Sequence, residues 1–161
     1  MSRSQARENT FMLVYERNIT GEKNADTFLM LSAKTASETA YISAVYNGID
    51  AHLDFLTKVI SKSANDYAAA RIYKVDFSVL LVAVYEILFI DDVPDAVAVN
   101  EALELAKRYS TDKSASFING VLARVIECKE SILESFKNPP PEAQDGEAQD
   151  EGENTDARTS D

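Results

Sequence analysis

The chain is poor in the residues on which most enzymes and secreted proteins depend. Its 161 residues include one cysteine, one histidine, no tryptophan, five glycines and four prolines. A single cysteine, Cys128, excludes an internal disulfide and favours a reducing compartment, and a single histidine excludes a metal site built from several histidines. The amino terminus has no basic and then apolar leader, so we expect a cytoplasmic protein.

Motifs for catalysis are also scarce. A Ser/His/Asp triad would have to use His52, and no Gly-x-Ser-x-Gly turn accompanies that residue. The glycines are scattered along the chain, so the sequence contains no phosphate-binding loop. The adjacent acids Asp91 and Asp92 fit a loop between helices better than a general acid–base pair. The sequence therefore predicts a binding protein that uses no metal and no cofactor, and not an enzyme.

Long apolar runs are missing as well. The longest extends from Phe77 to Ile90 and is interrupted by Ser78 and Glu86. A membrane-spanning helix needs about 20 apolar residues, which this run does not reach. A helix that is apolar on every side lies in the middle of a folded core, so we predict a buried helix here and no membrane segment.

The apolar spacing that is present predicts an all-α protein, since strand alternation is nowhere sustained. Ser2 and Thr35 each stand three residues before a glutamine or glutamate, which predicts a capped helix start at both positions. The Asn47-Gly48 pair predicts a helix end. In the helix after Pro94 we expect an inward stripe of Val99, Ala102, Leu103, Ala106 and Tyr109. Helices are predicted near residues 4–18, 26–34, 35–47, 49–62, 75–90, 95–109 and 114–136.

The charge divides the chain into a helical domain, residues 1–137, and an acidic tail, residues 138–161. The tail carries eight acids and one arginine, net −7, out of a total of −11. It has no apolar residue larger than alanine, so we predict a disordered, solubilising tail. The alternative is an interaction tail that competes with nucleic acid. The helical domain is only mildly acidic, which neither supports nor forbids nucleic-acid binding.

Four segments carry a family resemblance. They are Ala6-Arg7-Glu8 leading to Tyr15, then Val79–Glu86, Asp92–Lys107 and Phe117–Leu122. In order and spacing they resemble the NusB family of bacterial transcription antitermination factors, over roughly residues 3–128. Local rules would score the Asn119-Gly120 step as a turn, whereas the resemblance places it inside the last helix.

The resemblance implies a compact bundle of about seven helices in two subdomains. It also implies an activity: binding the boxA element of nascent ribosomal-RNA transcripts together with NusE, a small-subunit ribosomal protein, within the RNA polymerase antitermination complex. No catalysis and no cofactor are implied. Some members of the family pair as homodimers that cover the RNA face, so a homodimer is a further expectation.

The same resemblance implies several RNA-binding residues. Arg3 and Arg7 match part of an arginine-rich amino terminus that contacts RNA, and their alternative is two solvated charges. Tyr15 and Phe117 match aromatic positions near the RNA, where a ring can stack on an unpaired base; their alternative is core packing. Lys113 stands where the family has an acid, and we expect it to add a phosphate contact.

Three further residues have expected roles. Asn119 either faces the RNA or satisfies a local polar group, and Gly120 permits a close contact between helices. Asp76 falls where the family has an acid that faces the protein partner. Its alternative is the N-cap of the buried helix.

Two other functions stay open at this point. One is a helical protein–protein adaptor without an RNA role, which the net negative charge and the two-arginine amino terminus favour. The other is an RNA-targeting module without an antitermination role, since the same fold occurs as the amino-terminal domain of certain rRNA cytosine methyltransferases.

Overall fold

The computed structural model describes residues 2–32 and 35–139, and these residues form helices without any strand. The all-α prediction is therefore confirmed, with eight α-helices close to the predicted seven. A short 3-10 turn, Ala69–Arg71, lies between the fourth and fifth helices. The helices are α1 (Arg3–Thr20), α2 (Ala25–Leu31), α3 (Ala36–Ala51), α4 (Leu53–Ser63), α5 (Lys74–Phe89), α6 (Asp95–Tyr109), α7 (Asp112–Glu127) and α8 (Lys129–Lys137).

Helix α5 is the centre of the structure, as its apolar sequence predicts. It contacts α1 and α3 as well as α4, α6 and α7. Fully burying one large aliphatic side chain stabilises a fold by about 1.5–3 kcal/mol, so α5 is the largest single source of core stability. Its buried apolar side chains are Val79, Leu80, Leu81, Val82, Ala83, Val84, Ile87 and Leu88.

The helices around α5 fall into two groups, as expected. Helix α1 contacts both α2 and α3 on one side, while α7 contacts both α4 and α6 on the other. Both predicted capped starts are confirmed, because the side chain of Ser2 accepts the N–H of Gln5 and that of Thr35 accepts the N–H of Glu38. Arg7 contacts Glu86 and Asn18 contacts Ser78, so α1 runs antiparallel to α5.

The predicted helix end at Asn47-Gly48 is wrong, because α3 continues to Ala51. Gly48 serves a close contact: a Cβ at this position would overlap the ring of Tyr85 on α5. The expectation of a close contact at Gly120 is also wrong. Gly120 does lie inside α7, as the resemblance implied, but a Cβ there would meet nothing within 4 Å.

Helix α6 has the predicted bounds, but its buried stripe is rotated from the predicted one. Val99 and Leu103 are half-buried and Tyr109 is exposed, while the stripe that packs inward comprises Ala98, Ala102, Leu105 and Ala106. The predicted last helix is two helices, which meet at the exposed Cys128.

Residues up to Lys129 form one compact unit, and α8 belongs to a second. Ile132, Leu133 and Phe136 form an apolar stripe on α8 at helical spacing. The predicted second helix reaches into residues 33–34, and the predicted tail covers residues 140–161. Both of these stretches lie outside the described residues.

Candidate nucleic-acid interface

A groove of about 530 Å³ opens beside the first turns of α5 and α7, and we call it the α5–α7 groove. Three of the predicted site residues line it: Asp76, Lys113 and Phe117. The segment between α4 and α5 supplies the opposite wall. The lining residues from that segment that bear on binding are Tyr67, Arg71 and Tyr73.

The start of α7 presents Lys113 and Phe117 to the groove. Thr111 caps the helix, and its hydroxyl accepts the backbone N–H of Ser114 at 3.1 Å. Lys113 and Phe117 are four residues apart, so their side chains lie on the same face of the helix. Lys113 is exposed and Phe117 is half-buried. The pair therefore offers a cation and part of an aromatic ring to the same ligand.

Asp76 forms the floor of the groove. Its carboxylate is buried, and its two oxygens accept hydrogen bonds from the hydroxyls of Ser110 at 2.8 Å and Ser114 at 2.7 Å. The N-cap of α5 is Tyr73, so the alternative reading of Asp76 as the N-cap is wrong. A negative charge in the first turn is favourable beside the positive end of the helix dipole. Contact between Asp76 and a protein partner stays a prediction, and it would have to pass through the groove.

Arg7 does not fit the phosphate contact predicted for it, because its side chain is buried and paired. The guanidinium donates to both carboxylate oxygens of Glu86, with Nε–Oε1 at 2.9 Å and Nη2–Oε2 at 2.8 Å. A second ion pair joins Nη1 to Glu101 at 3.2 Å. Burial acts to lower the pKa of Arg7, yet the hydrogen bonds and charge of Glu86 outweigh it and raise the pKa above its usual value. Arg7 thus holds α1 to α5 and α6.

Tyr41 completes this buried cluster and leads to Arg3. Its hydroxyl donates to Glu86 at 2.9 Å. Burial and the nearby carboxylate of Glu86 raise the pKa of Tyr41 well above its usual value. The guanidinium of Arg3 lies 4.3 Å from the centre of the Tyr41 ring. Arg3 itself is exposed, so it keeps the access to phosphate that Arg7 lacks.

The remaining predicted residues lie outside the groove lining. Tyr15 is half-buried, and the centre of its ring is 6.1 Å from that of the buried Phe11. The ring contact is consistent with core packing, and the exposed part of the ring is consistent with base stacking. Asn119 is exposed on α7. It follows Phe117 by two residues, which is about 200° around a helix, so it points away from the groove.

The predicted RNA-binding residues therefore form two groups. Arg3 begins α1, next to the carboxyl end of α5, and the groove lies at the amino end of α5. About 22 Å of helix separates the level of Arg3 from that of Asn18, whose partner Ser78 is in the first turns of α5. Lys113, Phe117 and Asp76 are brought together, while Arg3 stands apart from them.

Sequence reasoning missed the residues that the groove takes from the segment between α4 and α5. This segment has no helical period, and it begins with Asn65 and Asp66 in the left-handed region, with φ of 59° and 61°. The available signal was its composition, since Tyr67, Arg71 and Tyr73 are large, polar-tipped side chains within one short connection. The Arg7–Glu86 pair also had a signal, because a carboxylate inside an apolar helix requires a buried partner.

Two kinds of feature are absent from the described residues. Between residues 2 and 139, leaving out 33–34, no group of three or more His, Cys, Asp or Glu side chains is arranged to hold a metal ion. Over the same part of the chain, none of the helices is both long enough and apolar enough to span a membrane.

Comparison with known proteins gives consistent matches. The profile of the NusB family matches residues 4–127. The transcription antitermination protein NusB of Finegoldia magna is 37% identical over 134 residues, which cover 81% of this chain and 98% of the relative. NusB of T. maritima superposes with a TM-score of 0.74 at 27% identity, over 79% of this chain and 92% of that one.

A further structure supports the fold. A chain in the crystal structure of the antitermination factors NusB and NusE in complex with double-stranded RNA superposes with a TM-score of 0.71. The sequence identity is 22%, and the match covers 78% of this chain and 96% of that one.

Proposed function

The chain belongs to the NusB family, and we propose that it is a transcription antitermination factor that binds boxA RNA of nascent ribosomal-RNA transcripts together with NusE. The observation that carries this proposal is the 37% identity to a transcription antitermination protein over 98% of that relative's length. The RNA-bound complex of NusB and NusE among the structural neighbours is in keeping with it. The activity is binding, without catalysis and without a cofactor.

The geometry supports RNA contacts at two places. Lys113 and Phe117 offer a cation and an aromatic ring at the α5–α7 groove, and the exposed Arg3 offers a second cation at the start of α1. Tyr15 is a candidate for stacking between them. Arg7 has a positioning role, since its ion pairs to Glu86 and Glu101 fix the helix that carries Arg3.

We assign the protein to the cytoplasm, within the RNA polymerase antitermination complex, and take Asp76 as part of the surface that faces NusE.

A homodimer that covers the RNA-binding residues would compete with RNA. The amount of dimer in a purified sample, measured by light scattering with and without RNA, tests that competition.

A second candidate function is a protein–protein adaptor that does not bind RNA. The burial of Arg7 favours it, because that burial leaves Arg3 alone as an exposed arginine in the first turns of α1. Lys113 favours RNA binding instead, since it adds a cation at the groove.

The direct functional test is transcription past a terminator in a reconstituted system. RNA polymerase, NusE and the other antitermination factors of the source organism transcribe a template with boxA upstream of a terminator, with and without this chain. We expect the chain to increase read-through on that template and to have no effect when boxA is scrambled. Equal read-through with and without the chain would contradict the proposal, and NusE binding without any effect of boxA would favour the adaptor.

A further inference from the structure

We propose that Tyr41 is a positioning residue for RNA binding, which holds the guanidinium of Arg3 in place for an RNA phosphate. Tyr41 touches no RNA itself and acts through Arg3 alone. This inference rests on the proposed function and deepens it, since it adds a residue of α3 to the contact at the start of α1.

The guanidinium of Arg3 lies over the ring of Tyr41, 4.3 Å from the centre of the ring. A cation within about 6 Å of an aromatic centre is attracted by the negative face of the ring. Arg3 is exposed, whereas Tyr41 is only 6% exposed. The tyrosine therefore belongs to the packed core and is the fixed partner of the contact, while the arginine above it lies at the surface.

The ring of Tyr41 is held by the buried ion pair between Arg7 and Glu86. Its hydroxyl donates to Oε2 of Glu86 at 2.9 Å, and Nη2 of Arg7 donates to the same oxygen at 2.8 Å. Burial and the charge of Glu86 raise the pKa of Tyr41, so the hydroxyl stays protonated and keeps this hydrogen bond at neutral pH. Side chains of three helices, α1, α3 and α5, thus fix the ring.

The charge of Arg3 remains available to a ligand. Arg7 is four residues later on the same face of α1, and it forms ion pairs with Glu86 and Glu101. Among the residues that the structure describes, the ion pairs do not include Arg3. An aromatic ring orients a guanidinium without neutralising it. An arginine that stacks on such a ring keeps its N–H donors free in the plane of the guanidinium, where two of them can bind one phosphate.

Orientation of Arg3 affects affinity because a mobile arginine loses rotamer freedom when it binds. Ordering one long side chain at an interface weakens binding by about two- to tenfold. A guanidinium that already lies over Tyr41 has lost part of that freedom in the unbound protein. We therefore expect Tyr41 to strengthen RNA binding within that range and to leave the number of phosphate contacts unchanged.

The test measures the affinity of the full chain, with saturating NusE, for fluorescein-labelled boxA RNA by fluorescence anisotropy at several salt concentrations. Tyr41→Leu removes the ring. Tyr41→Phe is the matched control, since it keeps the ring and loses the same hydrogen bond to Glu86. Arg3→Ala and the double variant that combines it with Tyr41→Leu complete a double-mutant cycle. Circular dichroism checks that each variant is folded at the temperature of the titration.

We expect Tyr41→Leu to weaken RNA binding by about two- to tenfold and Tyr41→Phe to bind like the unchanged chain. In the Arg3→Ala background, Tyr41→Leu should cause no further loss, because a positioning residue has no effect without the residue that it positions. Arg3→Ala should reduce the salt slope by about 0.7, whereas Tyr41→Leu should leave it unchanged, because the cation is still present.

A substitution that preserves shape covers the case in which Tyr41→Leu does not fold. Trifluorophenylalanine in place of Tyr41 has nearly the shape of phenylalanine, but its fluorines withdraw electrons from the ring face and weaken the attraction for a cation. We expect it to bind RNA about twofold more weakly than Tyr41→Phe when Arg3 is present, and equally well in the Arg3→Ala background. Equal affinities in both backgrounds would contradict the inference.

Other outcomes would overturn the inference as well. If Tyr41→Leu binds RNA as tightly as the unchanged chain, or loses the same affinity with and without Arg3, Tyr41 does not position Arg3, while the proposed function stands. If Tyr41→Phe loses as much affinity as Tyr41→Leu, RNA binding requires the hydrogen bond to Glu86 and not the ring. If the unchanged chain binds no RNA with or without NusE, the proposed function fails together with the inference.

Discussion

The guanidinium of Arg7 and the carboxylate of Glu86 meet where α1 crosses α5, and both side chains are almost fully buried. A buried charge that loses its partner keeps the full cost of its desolvation. This pair therefore explains how α5 can contain a glutamate in its apolar run. It also distinguishes Arg7, which is buried and paired, from Arg3, which is exposed, although the sequence predicts the same RNA contact for both.

We predict that Arg7→Ala lowers the free energy of unfolding by roughly 3–5 kcal/mol, because it leaves Glu86 buried without a cation. Arg3→Ala is the control and should cost less than about 1 kcal/mol, since it removes only an exposed cation–π contact. Urea denaturation measures both. An Arg7→Ala variant that keeps its stability and loses RNA binding would show that Arg7 contacts RNA after all.

Four tyrosines predict how stability depends on alkaline pH. The pKa values of Tyr41, Tyr46 and Tyr85 are raised chiefly by burial, and that of Tyr109 by its hydrogen bond to Glu8. The unfolded chain loses these protons near pH 10, while the folded chain retains them. By linkage, their stabilising contribution is complete below about pH 10 and declines as the pH rises further.

Urea denaturation between pH 8 and pH 11 measures this decline. We expect the free energy of unfolding to fall once the pH passes about 10. Tyr41→Phe should make the fall shallower, since it removes one of the retained protons. A free energy of unfolding that stays constant through pH 11 would contradict the raised pKa values.

Gly48 and Gly120 provide a matched pair of helical glycines. At Gly48 an added methyl group would overlap the Tyr85 ring, whereas at Gly120 it would meet open space. We predict that Gly48→Ala destabilises the fold by about 1–3 kcal/mol despite the better helix propensity of alanine. Gly120→Ala should stabilise it by up to about 1 kcal/mol. Thermal melting measures both changes, and equal effects at the two positions would refute this account of Gly48.

At the scale of elements, the amino ends of α5 and α7 are tied together by Asp76. Its carboxylate accepts the hydroxyls of Ser110, just before α7, and Ser114, in its first turn. This tie keeps Lys113 and Phe117 opposite the segment between α4 and α5, so the shape of the groove depends on it.

We predict that Asp76→Ala lowers the free energy of unfolding by about 1–3 kcal/mol, because the buried hydroxyl of Ser114 and the half-buried hydroxyl of Ser110 lose their acceptor. Asp112→Ala, at an exposed position in the first turn of α7, should cost less than about 1 kcal/mol. Chemical denaturation compares the two. A variant without Asp76 that is fully stable and has lost only NusE binding would assign the residue to the partner surface alone.

Apolar periodicity was sufficient to predict most elements, because most of the longer helices bury one face. It gave the bounds of α6 and the buried nature of α5. It failed at the end of α3, since the reason for Gly48 lies in Tyr85 on another helix. In the site, the four-residue spacing of Lys113 and Phe117 was enough to predict that both side chains lie on the same face of one helix. The wall formed by Tyr67, Arg71 and Tyr73 was not, because only the tertiary fold brings that segment to α7.

At the scale of the whole molecule, charge is distributed very unevenly. Residues 138–161 carry a net charge of −7 out of the total of −11. The helical part is therefore nearly balanced, and the RNA contacts proposed for Arg3 and Lys113 would depend on the local placement of these cations more than on an overall field.

We predict that deleting residues 138–161 changes the free energy of unfolding by less than about 0.5 kcal/mol, since the tail lacks large apolar residues. RNA affinity should change by less than about twofold at physiological salt, where the screening length is about 8 Å. Denaturation and RNA titration of the shortened chain check both. A several-fold gain in affinity that appears only at low salt would show that the tail competes with RNA.

The central claim is that this chain binds boxA RNA jointly with NusE, and one titration tests it most directly. Labelled boxA RNA is titrated with the full chain, alone and with saturating NusE, and the Kd is read from fluorescence anisotropy. We predict that NusE tightens binding by about tenfold or more, which corresponds to a coupling of about 1.4 kcal/mol, and that scrambled RNA shows no such gain. The same Kd for boxA and scrambled RNA, with no effect of NusE, would contradict the account.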